Sequence, residues 1–401
     1  MVLTDKQSKG LDVALERYQM GYKFVTISGY AGTGKTTLVR FIIDALMCEG
    51  IEEDDVCYCA YTGKACQVLS RKGNKNVSTL HRLLYKSVPL PNGGFKRMPK
   101  VSLEYKILVV DEVSMVPQNM IESILHYPVF AIFLGDPFQL PPVKEDEANH
   151  LLDEPHVFLD EIMRQAAESE IIRYTLDLRN GIELPLEYDG NEIRIFRKDD
   201  LCDGMLTWAD QILVATNKTR VSINNTCREL YGFEGDIQDG DKVVCVENDW
   251  ERVSPNGEFL VNGSVGHIES CFPSFFQIPN SLPPKAKMKG KKLELFRGNF
   301  ITETEEEFKN IAFDKEMLLN SKKGLDWQTE YVLKKSKFYS KGLPDYFEFG
   351  YALTYWKAQG SEWDKVLVIE EGFPFDKQTH LRAMYTALTR ASSKVTLIRN
   401  K

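Results

Sequence analysis

The chain repeats one pattern of hydrophobic and polar positions, in which a short apolar run is followed by a polar loop and then by apolar residues at helical spacing. Residues 24–28 form the first run, and Leu38 and Ile42 follow it at the spacing of a helix. Residues 55–60 begin a second unit of the same kind, and residues 3–19 precede both as an opening helix. Successive strand–loop–helix units predict an α/β fold with a parallel sheet.

Further apolar runs continue this pattern along the chain. Residues 77–81 predict the start of a short helix, and residues 380–388 predict a longer one near the end. Runs rich in Val, Ile and Leu predict buried strands at residues 107–110, 129–134, 211–215, 366–369 and 395–398. The return of the pattern after residue 349 predicts a second α/β unit.

The pattern changes between residues 236 and 345, where turn residues and charged stretches separate short β runs. Residues 304–321 predict a helical excursion within this region. The predicted strands are residues 242–247, 259–261, 265–271, 292–296 and 331–335. Short strands at this spacing predict a small β-barrel-like insertion.

Residues 85–100 interrupt the first α/β unit with prolines and with the turn Asn92-Gly93-Gly94. Asn-Gly between two extended runs is a strong hairpin signal. We therefore predict a small hairpin that projects from the first domain, with Phe95 near its tip. The alternative is a disordered loop.

The loop after the first strand carries the strongest chemical signal. Gly29-Tyr-Ala-Gly-Thr-Gly34-Lys35-Thr36 matches the P-loop pattern without a mismatch and lies between a strand and a helix, as the pattern requires. Glycines let backbone N–H groups approach phosphate oxygens, and the following helix N-terminus favours an anion. Lys35 is predicted to reach the β- and γ-phosphates of a nucleotide, and Thr36 to hold Mg²⁺. The alternative is a glycine-rich turn between core elements.

Two carboxylates end the strand that begins at residue 107. Asp111 and Glu112 form a Walker B pattern, and the carboxyl end of a parallel strand is where such groups face a nucleotide. Asp111 is predicted to hold Mg²⁺, and Glu112 to orient or deprotonate the attacking water. The alternative is a pair of helix-capping carboxylates. Gln139, on a proline-rich loop after the next strand, is predicted to sense the γ-phosphate.

The composition of the 401-residue chain is ordinary for a globular protein, and its length suggests two or three domains. The net charge of −8 and the pI of about 5.5 argue against nucleic-acid binding by bulk charge alone, but not against a local basic groove. Lysine clusters at residues 285–292 and 334–341 are candidates for such a groove. The alternative for both clusters is a solvated surface loop.

The cysteines and the apolar runs bear on the compartment. Cys57, Cys59 and Cys66 lie close together but have no partner set at zinc-site spacing, so we predict reduced thiols. No apolar run reaches the length of a membrane span, and the N-terminus lacks the pattern of a signal peptide. We therefore predict a cytoplasmic protein without a membrane partner.

Taken in order, these stretches resemble the motifs of superfamily 1 DNA helicases, in the branch that holds RecD-like enzymes and phage Dda. The stretches that are most specific to this family are Thr354-Tyr-Trp-Lys357-Ala-Gln359-Gly360-Ser-Glu362 and Tyr385-Thr-Ala-Leu-Thr-Arg390. The resemblance implies an α/β fold of two RecA-like P-loop NTPase domains in tandem, with a hairpin insertion in the first and an SH3-like β insertion in the second. The implied boundaries are residues 1–167 for domain 1A with the hairpin 1B at 83–103, residues 168–235 and 346–401 for domain 2A, and residues 236–345 for domain 2B.

The resemblance implies that ATP and Mg²⁺ bind between the two RecA-like domains. Gln7, otherwise a helix-capping residue, would contact the adenine. Arg164 and Arg390 match the arginine fingers of the family, and a guanidinium suits this role because it stabilises charge on the transferring phosphoryl group. The alternative for each arginine is a surface ion pair. The implied nucleotide contacts are Gln7, Gly29, Ala31, Gly32, Thr33, Gly34, Lys35, Thr36, Thr37, Gly360 and Glu362, and the implied catalytic residues are Lys35, Glu112, Gln139, Arg164 and Arg390.

The resemblance also implies that a nucleic-acid strand crosses both domains. Small hydroxyl and amide groups suit contacts to phosphate and sugar, although the same residue types are favoured helix caps. Trp356 departs from the family, which usually has histidine there, and would either stack on a base or fill the core. Phe95 would be the strand-separating wedge. The implied contacts are Thr62, Lys64, Thr79, His81, Phe95, Thr216, Asn217, Thr354 and Trp356.

The implied activity is ATP-dependent movement on single-stranded DNA, 5′→3′ by analogy with the branch, with separation of duplex strands. The implied partners are single-stranded DNA and duplex or fork DNA, with a single-strand binding protein or replication and recombination proteins as further candidates. A monomer in a bacterial or phage-infected cytoplasm is expected. One alternative is a translocase that displaces proteins or drives a larger complex. A distant one is a P-loop phosphotransferase, which would leave the second α/β unit and Arg390 unexplained.

Overall fold

The computed structural model describes residues 3–89, 95–141, 148–163, 168–335, 343–372 and 376–400. For residues 87–89, 95–97 and 250–251 it describes the backbone only. The chain divides into two compact units. Unit 1 consists of Met1–Tyr85, Pro99–Thr216 and Thr354–Lys401, and unit 2 consists of Lys86–Met98 and Asn217–Leu353.

Helices and strands alternate through most of unit 1, whereas strands dominate unit 2. The helices are α1 (Asp5–Gln19), α2 (Lys35–Cys48), α3 (Gly63–Arg71), α4 (Leu80–Leu84), α5 (Gln118–Leu125), α6 (Glu170–Arg179), α7 (Asp203–Trp208), α8 (Asn217–Leu230), α9 (Lys315–Asn320), α10 (Trp327–Lys334) and α11 (Lys377–Leu388). The strands are β1 (Phe24–Gly29), β2 (Val56–Ala60), β3 (Val77–Thr79), β4 (Tyr85–Pro89), β5 (Phe95–Pro99), β6 (Ile107–Asp111), β7 (Phe130–Gly135), β8 (Val157–Leu159), β9 (Tyr188–Asp189), β10 (Ile193–Arg197), β11 (Gln211–Val214), β12 (Lys242–Cys245), β13 (Asp249–Val253), β14 (Phe259–Leu260), β15 (Val265–Gln277), β16 (Lys292–Thr302), β17 (Glu307–Asp314), β18 (Phe347–Phe349), β19 (Ala352–Thr354), β20 (Trp363–Ile369) and β21 (Ala391–Arg399).

The first sheet of unit 1 has the strand order β3-β2-β6-β7-β1-β8, and every neighbouring pair is parallel. Parallel strands bring their carboxyl ends to one edge of the sheet. The P-loop after β1, the carboxylates at the end of β6 and the loop after β7 therefore lie side by side, because β6, β7 and β1 are neighbours. We call this sheet with its helices lobe 1.

The second sheet has the order β19-β11-β20-β21-β10-β9. The strands β11, β20, β21 and β10 run parallel, and β9 joins the edge antiparallel. The sequence passes from unit 2 to unit 1 within the edge strand β19. We call this sheet with α6, α7 and α11 lobe 2. The prediction of a second α/β unit is confirmed.

The apolar strands of lobe 1 are buried on both faces. Val109 and Ile132 pack with apolar residues of α1 and α2, whereas the adjacent Val110 and Phe133 pack on the other side with residues of α4 and α5. Successive side chains of a strand point to opposite faces, so a strand covered on both sides needs a continuous apolar run. This explains why these strands were readable from the sequence.

Unit 2 contains an antiparallel sheet of order β17-β16-β15-β12-β18 and the strand pair β13-β14. Two predictions for this region were wrong. Residues 331–335 lie mostly in α10, because a three-residue apolar run cannot separate strand from helix and Asp326 caps the helix. Residues 304–321 contain β17 before the short helix α9. Phe308 and Ile311 are three residues apart, as in a helix, but a register shift between β16 and β17 lets both be buried from a strand.

Two smaller predictions can also be compared with the structure. The strands β4 and β5 pair where the hairpin was predicted, and its turn lies outside the described residues. The short helix predicted to open at residues 77–81 is confirmed as α4, which starts at Leu80 directly after the short strand β3. Thr79 is both the last residue of β3 and the cap of α4.

The cysteines are free thiols, and five of them are buried. Burial raises the pKa of the Cys66 thiol to about 12, which keeps it protonated and unreactive. Within the described ranges, no group of three or more His, Cys, Asp and Glu side chains is placed to hold a metal ion. The helices of the same ranges include none that is long and apolar enough to cross a membrane.

A buried charged cluster ties the end of β20 to the end of β21. Glu370 accepts hydrogen bonds from Arg399 Nε at 2.6 Å and from the backbone N–H of Asn400 at 3.0 Å, and its other oxygen lies 2.9 Å from His380 Nε2. Burial alone would raise the pKa of Glu370, but the hydrogen bonds from His380, Asn400 and Arg399 outweigh it and lower that pKa to about 2.

We expect Glu370→Gln to lower the free energy of unfolding by about 3 kcal/mol near neutral pH, because the buried Arg399 loses its charged partner. The folded-state pKa lies below the unfolded value, so this contribution is complete above the unfolded pKa and disappears as the pH falls towards 2. Thermal unfolding across this pH range measures the effect, with the exposed Glu229→Gln as the control. If the difference in stability between Glu370→Gln and the unaltered chain did not shrink on acidification, the charge of Glu370 would not be its cause.

Candidate nucleotide-binding site

The glycines of the P-loop adopt backbone shapes that other residues disfavour. Gly32 and Gly34 have φ angles of 75° and 79°, in the left-handed region. A Cβ at Gly29 would lie 2.8 Å from the carbonyl oxygen of Leu159 and 2.8 Å from Thr33 Oγ1, so a side chain does not fit there. The loop is therefore a tightly packed turn whose amide groups stay close to the start of α2.

Lys35 lies in the first turn of α2 and folds back over the loop. Its Nζ donates to the carbonyl oxygens of Gly29 at 2.7 Å and Tyr30 at 2.9 Å. Thr36 beside it is exposed and Thr37 is half-buried. The predicted phosphate-binding residues thus share one short segment, with the ammonium group held inside its curve.

Gln7 caps α1 and also contacts the P-loop. Thr4 and Gln7 form a capping box, in which Gln7 Oε1 accepts the backbone N–H of Thr4 at 3.0 Å. The amide nitrogen of the same side chain lies 3.4 Å from the carbonyl oxygens of Thr33 and Gly34. The helix-capping alternative is confirmed, and the capped side chain also contacts the P-loop.

Met163 is a neighbour of the P-loop that sequence reasoning missed. Its backbone N–H donates to the carbonyl oxygen of Gly32 at 3.0 Å, and its sulfur lies 3.7 Å from Gln7 Nε2. The available signal was its position directly before Arg164, in the segment that follows β8. Arg164 itself lies outside the described residues.

The two Walker B carboxylates lie at the end of β6. Burial raises the pKa of Asp111 to about 6, the neighbouring charge of Glu112 adds to the rise, and Lys35 opposes it. Asp111 Oδ1 also accepts the backbone N–H of Glu112 at 2.9 Å. Glu112 has a φ angle of 52°, a left-handed conformation that is strained for a residue with a side chain. Such strain is typical of functional sites.

The loop after β7 adds a third carboxylate, Asp136, whose role the sequence did not single out although it lies in the Gly-Asp-Pro turn beside Gln139. Burial raises the pKa of Asp136, against the opposing charge of Lys35 and a hydrogen bond from Tyr385. Its Oδ1 accepts the backbone N–H of Phe138 at 2.9 Å. Gln139 is 7% exposed, and its Oε1 has no hydrogen-bond partner among the described residues.

Side chains of lobe 2 reach this site directly. Tyr385 of α11 donates to Asp136 Oδ2 at 2.5 Å and accepts the backbone N–H of Ala31 at 2.9 Å. Gly360 has a φ of 74°, and a Cβ there would lie 3.0 Å from the Cβ of Ala65 in α3. Residues of the two lobes are therefore in contact at the P-loop and at α3.

A guanidinium that the sequence did not single out lies over the P-loop. Arg179, the last residue of α6, places its Cζ 3.5 Å from the ring centroid of Tyr30. Burial raises the pKa of Tyr385, the charge of Asp136 adds to the rise, and the charge of Arg179 opposes it. Two helices of lobe 2, α6 and α11, thus contribute side chains near the P-loop.

Arg390 follows α11 and is 6% exposed. Its guanidinium donates to the carbonyl oxygens of Thr386 at 3.1 Å and Ser361 at 3.3 Å, and to Thr389 Oγ1 at 3.1 Å. The alternative of a surface ion pair is therefore wrong. Glu362, two residues after Gly360, is exposed.

The predicted nucleic-acid contacts of lobe 1 follow β2 and β3, at the side of the sheet away from β1. Thr62 and Thr79 each accept the backbone N–H three residues later, at 3.2 Å and 3.4 Å, as helix caps do. Lys64 is buried in the first turn of α3, and the His81 ring lies 5.4 Å from that of Tyr61. The capping alternative is confirmed for both threonines, and contact with a strand stays a prediction.

The remaining predicted contacts follow strands of lobe 2 or open the adjoining helix. Thr216 donates through its hydroxyl to Glu371 at 3.0 Å, an anchor that sequence reasoning missed. Asn217, the first residue of α8 in unit 2, accepts from Arg220 at 3.2 Å. Thr354 accepts the backbone N–H of Lys357 at 3.4 Å, and Trp356 is half-buried. Phe95 begins β5, but its side chain lies outside the described residues.

Comparison with known proteins gives matches along the chain. Residues 3–192 match an AAA domain family, and residues 349–398 match the UvrD-like helicase C-terminal domain. The ATP-dependent RecD2 DNA helicase of Deinococcus radiodurans is 28% identical over 421 residues, which cover 98% of this chain and 48% of that protein. The ATP-dependent DNA helicase dda of Enterobacteria phage T4 is 26% identical over 448 residues, 97% of each chain. The chain therefore spans about half of the first relative and nearly all of the second.

Solved structures share the fold. The Pif1 helicase from Bacteroides in complex with ADP-AlF3 and ssDNA aligns with a TM-score of 0.53 at 18% identity, over 99% of this chain and 92% of that one. A Pif1 helicase structure that addresses unwinding at forked duplex DNA aligns with a TM-score of 0.51 at 19% identity, over 100% and 92%. The predicted fold of two RecA-like α/β domains is confirmed.

Proposed function

Because this chain is homologous to the superfamily 1 DNA helicases of the RecD-like and Dda-like branch, we propose that it is an ATP-dependent DNA helicase that moves on single-stranded DNA and separates duplex strands. One observation carries the proposal. The P-loop, the Walker B carboxylates and Gln139 lie at the adjacent ends of β1, β6 and β7, and Tyr385 of lobe 2 bonds to that edge. The proposed nucleotide site of lobe 1 is therefore in direct contact with the second α/β lobe.

The residues of this edge fit a magnesium–nucleotide complex. No described cluster of three protein ligands is present, and Mg²⁺ is usually held by one or two carboxylates together with phosphates and water. Asp111 and the hydroxyl of Thr36 are the proposed protein ligands. Bound Mg²⁺ would neutralise charge on the phosphates. Lys35 and the amide groups of residues 29–37 hold the phosphates, and Gln7 contacts the base.

The hydrolytic step is assigned to residues of both lobes. Glu112 orients or deprotonates the attacking water, and Gln139 contacts it or the γ-phosphate. Arg390 stabilises the charge that develops on the transferring phosphoryl group, with Arg164 as the second arginine of this kind. By their match to the family motif, Gly360 and Glu362 are assigned to contact the ribose and phosphates. Arg390 belongs to lobe 2, so hydrolysis requires that the lobes be together.

Strand binding is assigned to the hydroxyl, amide and basic groups at the sheet edges. The DNA strand is proposed to cross lobe 1 at the loops that follow β2 and β3, and lobe 2 at the loops that follow β11 and β19. Trp356 stacks on a base, and Phe95 is the wedge that separates strands. Cycles of lobe closure and opening then move a monomer 5′→3′ along the strand. The proposed contacts are Thr62, Lys64, Thr79, His81, Phe95, Thr216, Asn217, Thr354 and Trp356.

The proposed domain division follows the same family plan. Residues 1–167 form domain 1A with the hairpin 1B at 83–103, residues 168–235 and 346–401 form domain 2A, and residues 236–345 form an SH3-like domain 2B. The pairing of β4 with β5 and the antiparallel sheet of unit 2 support this plan, although unit 2 also contains α8 and β18, which the proposed bounds assign to domain 2A. Single-strand binding, replication or recombination proteins are the proposed partners at a fork in the cytoplasm.

An unwinding assay with three DNA substrates tests the function. We expect the purified chain with ATP and Mg²⁺ to separate a duplex with a 5′ single-stranded tail, and to leave a 3′-tailed and a blunt duplex intact. ATP turnover should rise at least about tenfold with single-stranded DNA, since strand binding favours the hydrolytic arrangement of the lobes. Turnover indifferent to DNA would overturn the proposal. DNA-stimulated turnover without unwinding would instead identify a translocase.

A further inference from the structure

The loop that carries Gln139 is fixed at both ends by lobe 2. At its start, Asp136 accepts the hydrogen bond from the Tyr385 hydroxyl at 2.5 Å. At its end, the backbone N–H of Leu140 donates to Thr386 Oγ1 at 3.0 Å, and the carbonyl oxygen of Leu140 accepts from Gln359 Nε2 at 2.8 Å. All five residues are nearly or fully buried. The position of this lobe 1 loop therefore depends on groups of lobe 2.

The Tyr385 hydroxyl joins this loop to the P-loop as well. It accepts the backbone N–H of Ala31 at 2.9 Å while it donates to Asp136. The ring is completely buried and packs edge-on against Phe138, with centroids 5.2 Å apart and planes at 79°. One hydroxyl thus fixes the distance between the phosphate-binding loop and the segment that bears Gln139.

Gln139 has an acceptor that remains for a ligand. Its Oε1 is buried and bonds to none of the described residues, whereas buried polar atoms are normally paired. A water molecule that attacks the γ-phosphate has a proton to donate to such an acceptor. The direction of this side chain follows from the position of its loop, which Tyr385, Thr386 and Gln359 hold.

We propose that Tyr385 is a positioning residue for ATP hydrolysis, which sets Gln139 against the P-loop through Asp136 and thereby makes turnover depend on contact between the lobes. The inference rests on the proposed ATPase function of the same site. Tyr385 acts through the loop and needs no contact with the nucleotide. Its loss should therefore affect the rate of the chemical step more than the affinity for nucleotide.

Tyr385→Phe tests the proposal, because it removes both hydrogen bonds and keeps the ring against Phe138. We expect kcat of DNA-stimulated hydrolysis to fall about 30-fold, while KM for ATP and the Kd of a fluorescent ADP change less than about threefold. Tyr127→Phe is the matched control, since Tyr127 is also buried and donates to the backbone of Lys100 at 2.8 Å away from the site. It should lower stability with little change in kcat.

A double-mutant cycle distinguishes positioning from general destabilisation. If Tyr385 acts through Gln139, the double variant Tyr385→Phe with Gln139→Ala should turn over no more slowly than Gln139→Ala alone. Independent, multiplicative losses would overturn the proposal. A kcat of Tyr385→Phe within about twofold of the unaltered chain, or equal losses in kcat and nucleotide affinity, would also overturn it.

Hydrogen exchange tests the same contacts without any activity. In Tyr385→Phe, the amide groups of residues 136, 138–140 and 29–34 should exchange at least about tenfold faster, and in Tyr127→Phe they should not change. Unchanged exchange in Tyr385→Phe would refute the positioning contact. If the unaltered chain hydrolyses no ATP but the exchange result holds, the proposed function fails and the structural coupling stands.

Discussion

Lys35→Ala is expected to abolish ATP turnover, with kcat/KM falling by about 10³-fold or more. The ammonium group is held inside the P-loop by the carbonyl oxygens of Gly29 and Tyr30, and it opposes the raised pKa values of Asp111 and Asp136. Its removal leaves the half-buried Asp111 and the buried Asp136 without the positive charge that opposes their raised pKa values, and the phosphates without their charged donor. Unwinding should be lost with turnover.

Measuring how Lys35→Ala binds single-stranded DNA distinguishes a loss of catalysis from misfolding. The predicted strand contacts follow β2, β3, β11 and β19, whereas Lys35 follows β1, so we expect the Kd for DNA without nucleotide to change less than about threefold. Steady-state hydrolysis and fluorescence anisotropy measure the two quantities, with the exposed Lys9→Ala as the control. Turnover that survives in Lys35→Ala would show that the nucleotide is hydrolysed elsewhere.

The P-loop and the Walker B strand could be predicted because their signals are local. A strand buried on both faces, a glycine-rich loop and a helix follow one another within about 25 residues, and the position of each in the sequence supports the assignment of the next. The same reasoning failed for 331–335, where a three-residue apolar run suits either element, and for 304–321, where the spacing of Phe308 and Ile311 is helical although both lie in β17. There the pairing of β17 with β16 and the cap at Asp326 decided the structure.

The contacts between lobes could not be predicted in the same way. Tyr385 and Asp136 are 249 residues apart, and Thr386 bonds to Leu140 across 246. Tyrosine and threonine in a helix carry no signal for a partner at that distance, so only their place in a family motif marked them. Arg179 was missed for the same reason, since α6 has no chemical pattern of its own, whereas Met163 stands beside Arg164 in a motif whose chemistry drew attention to the arginine alone.

Asp111→Asn is expected to make the metal-free protein more stable and nearly inactive. Burial raises the pKa of Asp111 to about 6, so the charged carboxylate destabilises the folded state near neutral pH. Asparagine has no charge and keeps the oxygen that accepts the N–H of Glu112. The gain in the free energy of unfolding should be about 2–3 kcal/mol. Hydrolysis should fall at least about 10²-fold, because an amide oxygen is a poorer ligand for Mg²⁺.

The pH dependence of unfolding shows whether the charge of Asp111 is the source of the destabilisation. Its folded pKa lies above the unfolded value, so the destabilisation is complete above about pH 6 and vanishes as the pH falls below the unfolded pKa. With a chelator present, the melting temperature of Asp111→Asn should exceed that of the unaltered chain near neutral pH, and the two should converge on acidification. Asp12→Asn, at an exposed position of α1, is the control. Added Mg²⁺ and nucleotide should stabilise the unaltered chain far more than the variant, and equal stabilisation would exclude Asp111 as a metal ligand.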